Sequence, residues 1–143
     1  MDVSIIAGSS SDEDLIKKVE KILEEFGVKY ESNIASAHRN PERVREITNN
    51  SEAKVFIAIA GLSAALPGVI ASFTLNPVIG LPKNVKLDGL DSLLSMAQMP
   101  PGIPVATVGI DNAKNAAILA VEILALSDPA LWERLQEYRE KNR

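Results

Sequence analysis

The segment Val55–Ala60 reads Val-Phe-Ile-Ala-Ile-Ala, a run without one polar side chain. A strand of that composition has no face to give to water, which places it in a parallel sheet covered by helices on both sides. The rest of the chain keeps to that plan, alternating short β-rich apolar runs with longer helical patterns from end to end. Val3–Ala7 reads as the first strand and 12–26 as a helix with Leu15, Val19, Ile22, Leu23 and Phe26 on one face, stopped by Gly27. A strand at 29–35 and a helix at 41–49 follow. Beyond Val55–Ala60 come a small-residue helix ending near Phe73, a strand at 77–80, a helix at 90–97, a strand at 104–108, and helices at 112–126 and 129–142. No linker, repeat or low-complexity tract interrupts the series. Residues 1–143 therefore read as a single α/β domain, a doubly wound parallel sheet in three α/β/α layers.

A chain of 143 residues buries about two thirds of the surface its extended form exposes, so it needs no external staple. It has no Cys and a single His. That removes disulfides, thiolate nucleophiles, Cys-based zinc and iron–sulfur sites and multi-His catalytic metal sites, and no metal is expected. A net charge of −4, with acidic and basic residues interleaved, leaves no positive stripe for a nucleic-acid backbone. The N-terminal Met1-Asp2-Val3-Ser4-Ile5-Ile6-Ala7 lacks a basic flank and its apolar run is only strand-sized. It reads as neither signal peptide nor membrane span, and a cytoplasmic protein without a membrane partner is expected.

Ligands of doubly wound sheets bind beyond the carboxyl ends of the strands, near the point where strand order reverses. Three loops fall on that edge: Gly8-Ser9-Ser10-Ser11-Asp12, Ser36-Ala37-His38-Arg39, and Gly61 to Gly68. With the common strand order 2-1-3-4-5 they converge on one cleft. His38 is the obvious proton carrier, because imidazole is the one unperturbed side chain that titrates near neutrality, and a neighbouring hydroxyl and guanidinium suggest a reacting anion. Gly8 to Asp12 suits phosphate: Gly admits close backbone approach, while helix-terminal amides and Ser hydroxyls donate hydrogen bonds. On local sequence alone, Ser11 or Asp12 serves equally as a helix cap. Gly61 to Gly68 suits either a ligand or close helix-on-sheet packing. The stretch 98–104, Gln-Met-Pro-Pro-Gly-Ile-Pro, is a stiff connector or a lid. Neither the dinucleotide nor the P-loop glycine fingerprint occurs.

Taken together, these segments resemble the aminoimidazole ribonucleotide (AIR) carboxylase family of de novo purine synthesis, which includes the N5-carboxyaminoimidazole ribonucleotide (N5-CAIR) mutases. Gly8 to Asp12 looks like the family's G-S-x-S-D, Ser36 to Arg39 like its S-A-H-R, Gly89-Leu90-Asp91-Ser92-Leu93 like its G-x-D-S-L, and 98–104 like its Q-M-P-x-G-I-P. The resemblance implies a flavodoxin-like α/β/α domain, commonly a homo-octamer, acting without cofactor on a ribonucleotide and carbon dioxide. It implies His38 as the proton-transfer residue, with Gly8, Ser9, Asp12, Ser36, Arg39, Gly61 and Ser63 around the substrate. Ala60, Leu62, Ala64 and Ala65 would wall in carbon dioxide. Bacterial mutases carry A-A-H-L-P-G where this chain has Ser63-Ala64-Ala65-Leu66-Pro67-Gly68, so Ala65 stands in place of a family histidine. Animal carboxylases have A-G-R-S-N-x-L, towards which Ala60-Gly61-Leu62-Ser63-Ala64-Ala65-Leu66 leans in part, and usually carry Lys in place of Arg39. Arg39 and the 98–104 loop place the mutase ahead, with direct carboxylation of AIR as the alternative.

The segment Ala116 to Leu126 is apolar nearly all round. It meets another subunit or lies centrally beneath the last helix, under Leu131, Trp132 and Leu135. The remote rival is a non-enzymatic flavodoxin-like nucleotide-binding module. A phosphoacceptor receiver, however, needs acidic residues where Ala7-Gly8-Ser9 and Ala60-Gly61 stand, and a flavin carrier needs aromatic rings that the cleft loops lack.

Overall fold

The computed structural model describes residues 1–143. Five parallel strands, β1 (Val3–Ala7), β2 (Tyr30–Ile34), β3 (Val55–Ala60), β4 (Val78–Pro82) and β5 (Ala106–Thr107), form one sheet in the order β2-β1-β3-β4-β5. Six helices cover it: α1 (Glu13–Glu25), α2 (Pro41–Asn50), α3 (Leu66–Phe73), α4 (Leu90–Ala97), α5 (Ala113–Ala125) and α6 (Pro129–Lys141). Every residue of β1, β3 and β4 is buried, as strands covered on two faces must be.

Alternation along the strands divides the interior into two half-cores. Val3, Ile5 and Ala7 of β1 join Val55, Ile57 and Ile59 of β3, and Ile79 and Leu81 of β4, beneath α1, α5 and α6. The residues between them, Ile6, Phe56, Ala58 and Val78, point the other way against Val44 and Ile47 of α2, Ile70 of α3 and Met96 of α4. On β4, Gly80 lets α4 approach closely: a Cβ there would lie 3.0 Å from both Met96 Sδ and Val105 Cγ1.

The boundaries differ from the sequence expectation where Pro and Gly mislead. The fourth strand continues past Gly80 to Pro82, paired with Ala60, because a terminal Pro forfeits only one donor. The fifth is reduced to two ladder residues at the sheet edge. The third helix begins only at Leu66, so Gly61 to Ala65 stay a loop. α5 lies centrally, packed on α1, α6, β3 and β4, with Leu131 and Leu135 covering it while Trp132 stays half exposed. Its apolar girth is thus largely accounted for inside the chain.

Near the β2 edge, the Tyr30 hydroxyl donates to Glu24 Oε1 at 2.5 Å, tying the strand to α1. This bond to a carboxylate, with burial and the charges of Glu20 and Glu24, pushes the phenol from 10.0 up to about 12. Because the fold retains this proton, the resulting stabilisation is complete below the unfolded value and vanishes as pH rises through about 12. In a Tyr138→Phe background, absorbance titration of tyrosinate should find Tyr30 ionising near 12, and Glu24→Gln should bring it back towards 10.0. A midpoint indifferent to Glu24→Gln would refute the assignment.

Candidate active site

The register decides where the loops emerge. Ala7 is level with Ile34 on one side and Ile59 on the other, and Ile59 is level with Leu81. The chain therefore leaves four adjacent strands at one height, and the ladder continues past it: Ala35 donates to Ala7 (2.9 Å), Gly8 to Ile59 (3.1 Å) and Lys83 to Ala60 (3.0 Å). Beyond these ends lies a cleft of about 330 Å³, within the size range of small-molecule sites.

From the first loop, Gly8, Ser9 and Asp12 line it; from the second, Ser36, His38 and Arg39; from the third, Gly61 and Ser63. The expected proton carrier and all the expected substrate-binding residues thus line one cleft. Ala60, Leu62 and Ala65 supply apolar lining. Ala64, expected beside them, is instead 1% exposed and belongs to the core below α3. The 98–104 connector lines no part of the cleft, since it leaves the carboxyl end of α4 and leads into the start of β5. Its Met99 packs where Gly68 leaves room on α3.

Each loop is shaped by its own short-range bonds. Ser9 caps a single 3-10 turn, Ser10–Asp12, ahead of α1: Ser11 N donates to Ser9 Oγ at 3.2 Å, and Ser9 N donates to Asp12 Oδ2 at 3.1 Å. The cap thus falls to Ser9 and not, as expected, to Ser11 or Asp12: Asp12 stands at the N-cap of α1 without a cap bond there, its carboxylate turned back to Ser9 N. In the second loop, Arg39 N donates to Ser36 Oγ (3.1 Å) and Asn40 N to Ser36 O (2.9 Å), closing a turn that leaves the His38 and Arg39 side chains exposed. Asn40 caps α2 by accepting from Arg43 N at 3.2 Å. In the third, Ser63 holds φ of 46°, a left-handed conformation that costs a non-glycine residue about 1–3 kcal/mol and so marks a constrained position. Ala65 precedes α3 without any side-chain cap, so that helix start is undecorated where it borders the cleft.

Two neighbours of the site were not foreseen. Val85 lines the cleft and lies against Gly61, and Lys83 reaches Asp12 and the Ser11 carbonyl from the end of β4. Because the ladder runs to Pro82 and not only to Gly80, Lys83 and Val85 follow directly on the strand end at the site edge. A wider groove of about 550 Å³ between α1, α5 and α6, lined by Lys18, Lys21, Lys114 and Lys141, gathers none of these groups.

Fold and cleft together define a flavodoxin-like α/β domain whose cleft gathers an imidazole, a guanidinium, hydroxyls and loop amides. The model of the AIR carboxylase family matches residues 2–143. An N5-carboxyaminoimidazole ribonucleotide mutase of Methanocaldococcus jannaschii is 63% identical over 139 residues, covering 97% of this chain and 88% of that protein. One of Thermotoga maritima is 52% identical over 143 residues, covering 97% and 84%. The crystal structure of Treponema denticola PurE superposes with a TM-score of 0.90 at 35% identity, covering 98% of this chain and 90% of that one. The chain belongs to the AIR carboxylase family.

A Cβ added to Gly61 would lie 2.4 Å from Val85 Cγ2. Gly61→Ala should therefore lower catalytic efficiency by about 10²-fold through displaced cleft walls, with the unfolding midpoint little changed because Val85 is partly exposed. Adding Val85→Ala should restore most of the loss; no restoration would show that the contact is not the cause.

Proposed function

We propose that residues 1–143 act as one catalytic domain, an N5-CAIR mutase forming 4-carboxy-AIR in de novo purine synthesis. The observation that carries this reading is identity across nearly the whole chain with relatives named as that mutase. The cleft is compatible with the chemistry. His38 and Arg39 stand on an exposed turn and line the same cleft as the Ser9 loop and the apolar Leu62 and Ala65.

In this mechanism protonated His38 gives its proton to N5 as the N–C bond breaks and carbon dioxide is released. The aminoimidazole ring is then an enamine whose C4 attacks the carbon dioxide. The C4 proton leaves to His38, restoring both the aromatic ring and the proton carrier. One movable proton suffices. Arg39 holds an anionic group of the substrate, bidentate where that group is a carboxylate or phosphate. Ser9, Ser36 and the backbone near Gly8 and Gly61 receive the ribonucleotide, with Asp12 fixing the loop beneath it. Ala60, Leu62 and Ala65 slow the escape of carbon dioxide by leaving it little water to enter. A homo-octamer in the cytoplasm belongs to the same reading; no helix is long and apolar enough to cross a membrane.

Direct carboxylation of AIR is favoured by one observation, Ala65 at the place of the mutase histidine. The two reactions share a product and differ in whether carbon arrives on N5 or as free carbon dioxide. Product formation by the pure protein from N5-CAIR alone, against AIR with excess bicarbonate and enzyme-free controls, should favour N5-CAIR. Preference for AIR and bicarbonate would make the chain a direct carboxylase, and activity on neither would defeat both readings.

Removing the proton carrier should separate binding from chemistry. His38→Asn is expected to abolish turnover while leaving ribonucleotide affinity within about tenfold of wild type. Normal turnover in that variant would sink the proton-transfer role.

A further inference from the structure

Lys83 lies just beyond β4, held by the bond from its amide to Ala60 O at 3.0 Å. Its side chain reaches the first loop, where Nζ stands 3.2 Å from Asp12 Oδ1 and donates to the Ser11 carbonyl at 2.6 Å. The side chains are 22% and 6% exposed, whereas both members of every other ion pair of this chain are at least 35% exposed. The remaining Asp12 oxygen, Oδ2, accepts from Ser9 N. A continuous path therefore runs from the end of β4 through ammonium and carboxylate to the first residues of the ligand loop.

That path has two physical consequences. It locks the Ser9–Asp12 turn from outside its own segment, so its amides are held in place before a ligand arrives. It also cancels the charge of a buried carboxylate that borders the cleft, where an anionic ribonucleotide would otherwise meet repulsion. Lys83 does not itself line the cleft, so both effects are transmitted through Asp12. We infer that Lys83 is a positioning residue for the reaction, setting ribonucleotide affinity by ordering the Ser9–Asp12 turn and neutralising Asp12. The affinity half rests on the mutase reading; the ordering half does not.

The test uses the full chain with Lys83→Met and Lys83→Arg, measuring steady-state turnover of N5-CAIR and hydrogen exchange at the amides of Ser9, Ser11 and Asp12. Lys83→Met should raise KM at least about tenfold with kcat changed less than about threefold, the split expected when binding rather than chemistry is impaired. Exchange at those amides should quicken by about tenfold or more while β1 and β3 stay as protected as in wild type. Lys83→Arg, which keeps the charge, should restore KM to within about threefold. Wild-type exchange in Lys83→Met, a fall in kcat at constant KM, or an equal KM defect in Lys83→Arg would each overturn the inference. Should Lys83→Met fail to fold, Lys83→Gln provides the same comparison. If the wild-type protein does not turn over N5-CAIR, the mutase reading fails, and the exchange measurement alone decides the role of Lys83.

Discussion

Ala7, Ile34, Ile59 and Leu81 end four neighbouring parallel strands at the same level, and the site depends on that register. A parallel ladder buried on both faces resists slippage, because a one-residue shift would turn every inward side chain to the opposite half-core. The two half-cores are unlike. One is built on α1, α5 and α6, the other on α2, α3 and α4, so a shifted strand would meet the wrong shapes on both sides. Burial of β1, β3 and β4 therefore does more than hold the domain together. It fixes the residue at which each loop of the cleft begins.

On that level platform each loop contributes a different chemical element. The first brings hydroxyls and amides around a buried carboxylate, the second an exposed imidazole and guanidinium, the third a strained serine beside small apolar residues. The charged groups near the cleft are two cationic side chains, Arg39 and Lys83, against the carboxylate of Asp12. An anion thus finds net attraction although the chain as a whole carries −4. The division of labour suits a reaction that needs anchoring at one end of the substrate and a single mobile proton at the other. His38 is left on an exposed turn, free of any side-chain hydrogen bond to the protein, which suits the proton carrier proposed above.

Much of this was legible in the sequence for reasons of range. Strand and helix identity follow from apolar periodicity over a few residues, and the end-to-end alternation of the two selects a parallel sheet. Ser9, Ser36, His38, Arg39, Gly61 and Ser63 could be gathered in advance because the carboxyl-edge rule converts strand ends into neighbours. The errors were local misreadings of punctuation. Gly80 reads as the end of a strand, yet the ladder runs through it to Pro82, since glycine there makes room for Met96 and proline sits last. Ala64 looked like one more apolar wall of the cleft, but it faces the core below α3.

Local patterns in the chain are thus enough to specify the fold class, the loops at the carboxyl edge and the residue types within them, since all of these are written in stretches a few residues long. It took the assembled sheet to show that Lys83 pairs with Asp12 across about half the chain, that Val85 closes on Gly61, and that α5 fills the centre of a layer. Those facts depend on distances set jointly by strand order, register and helix packing. No local pattern carries them, because each partner is compatible with many environments until the sheet brings the two together.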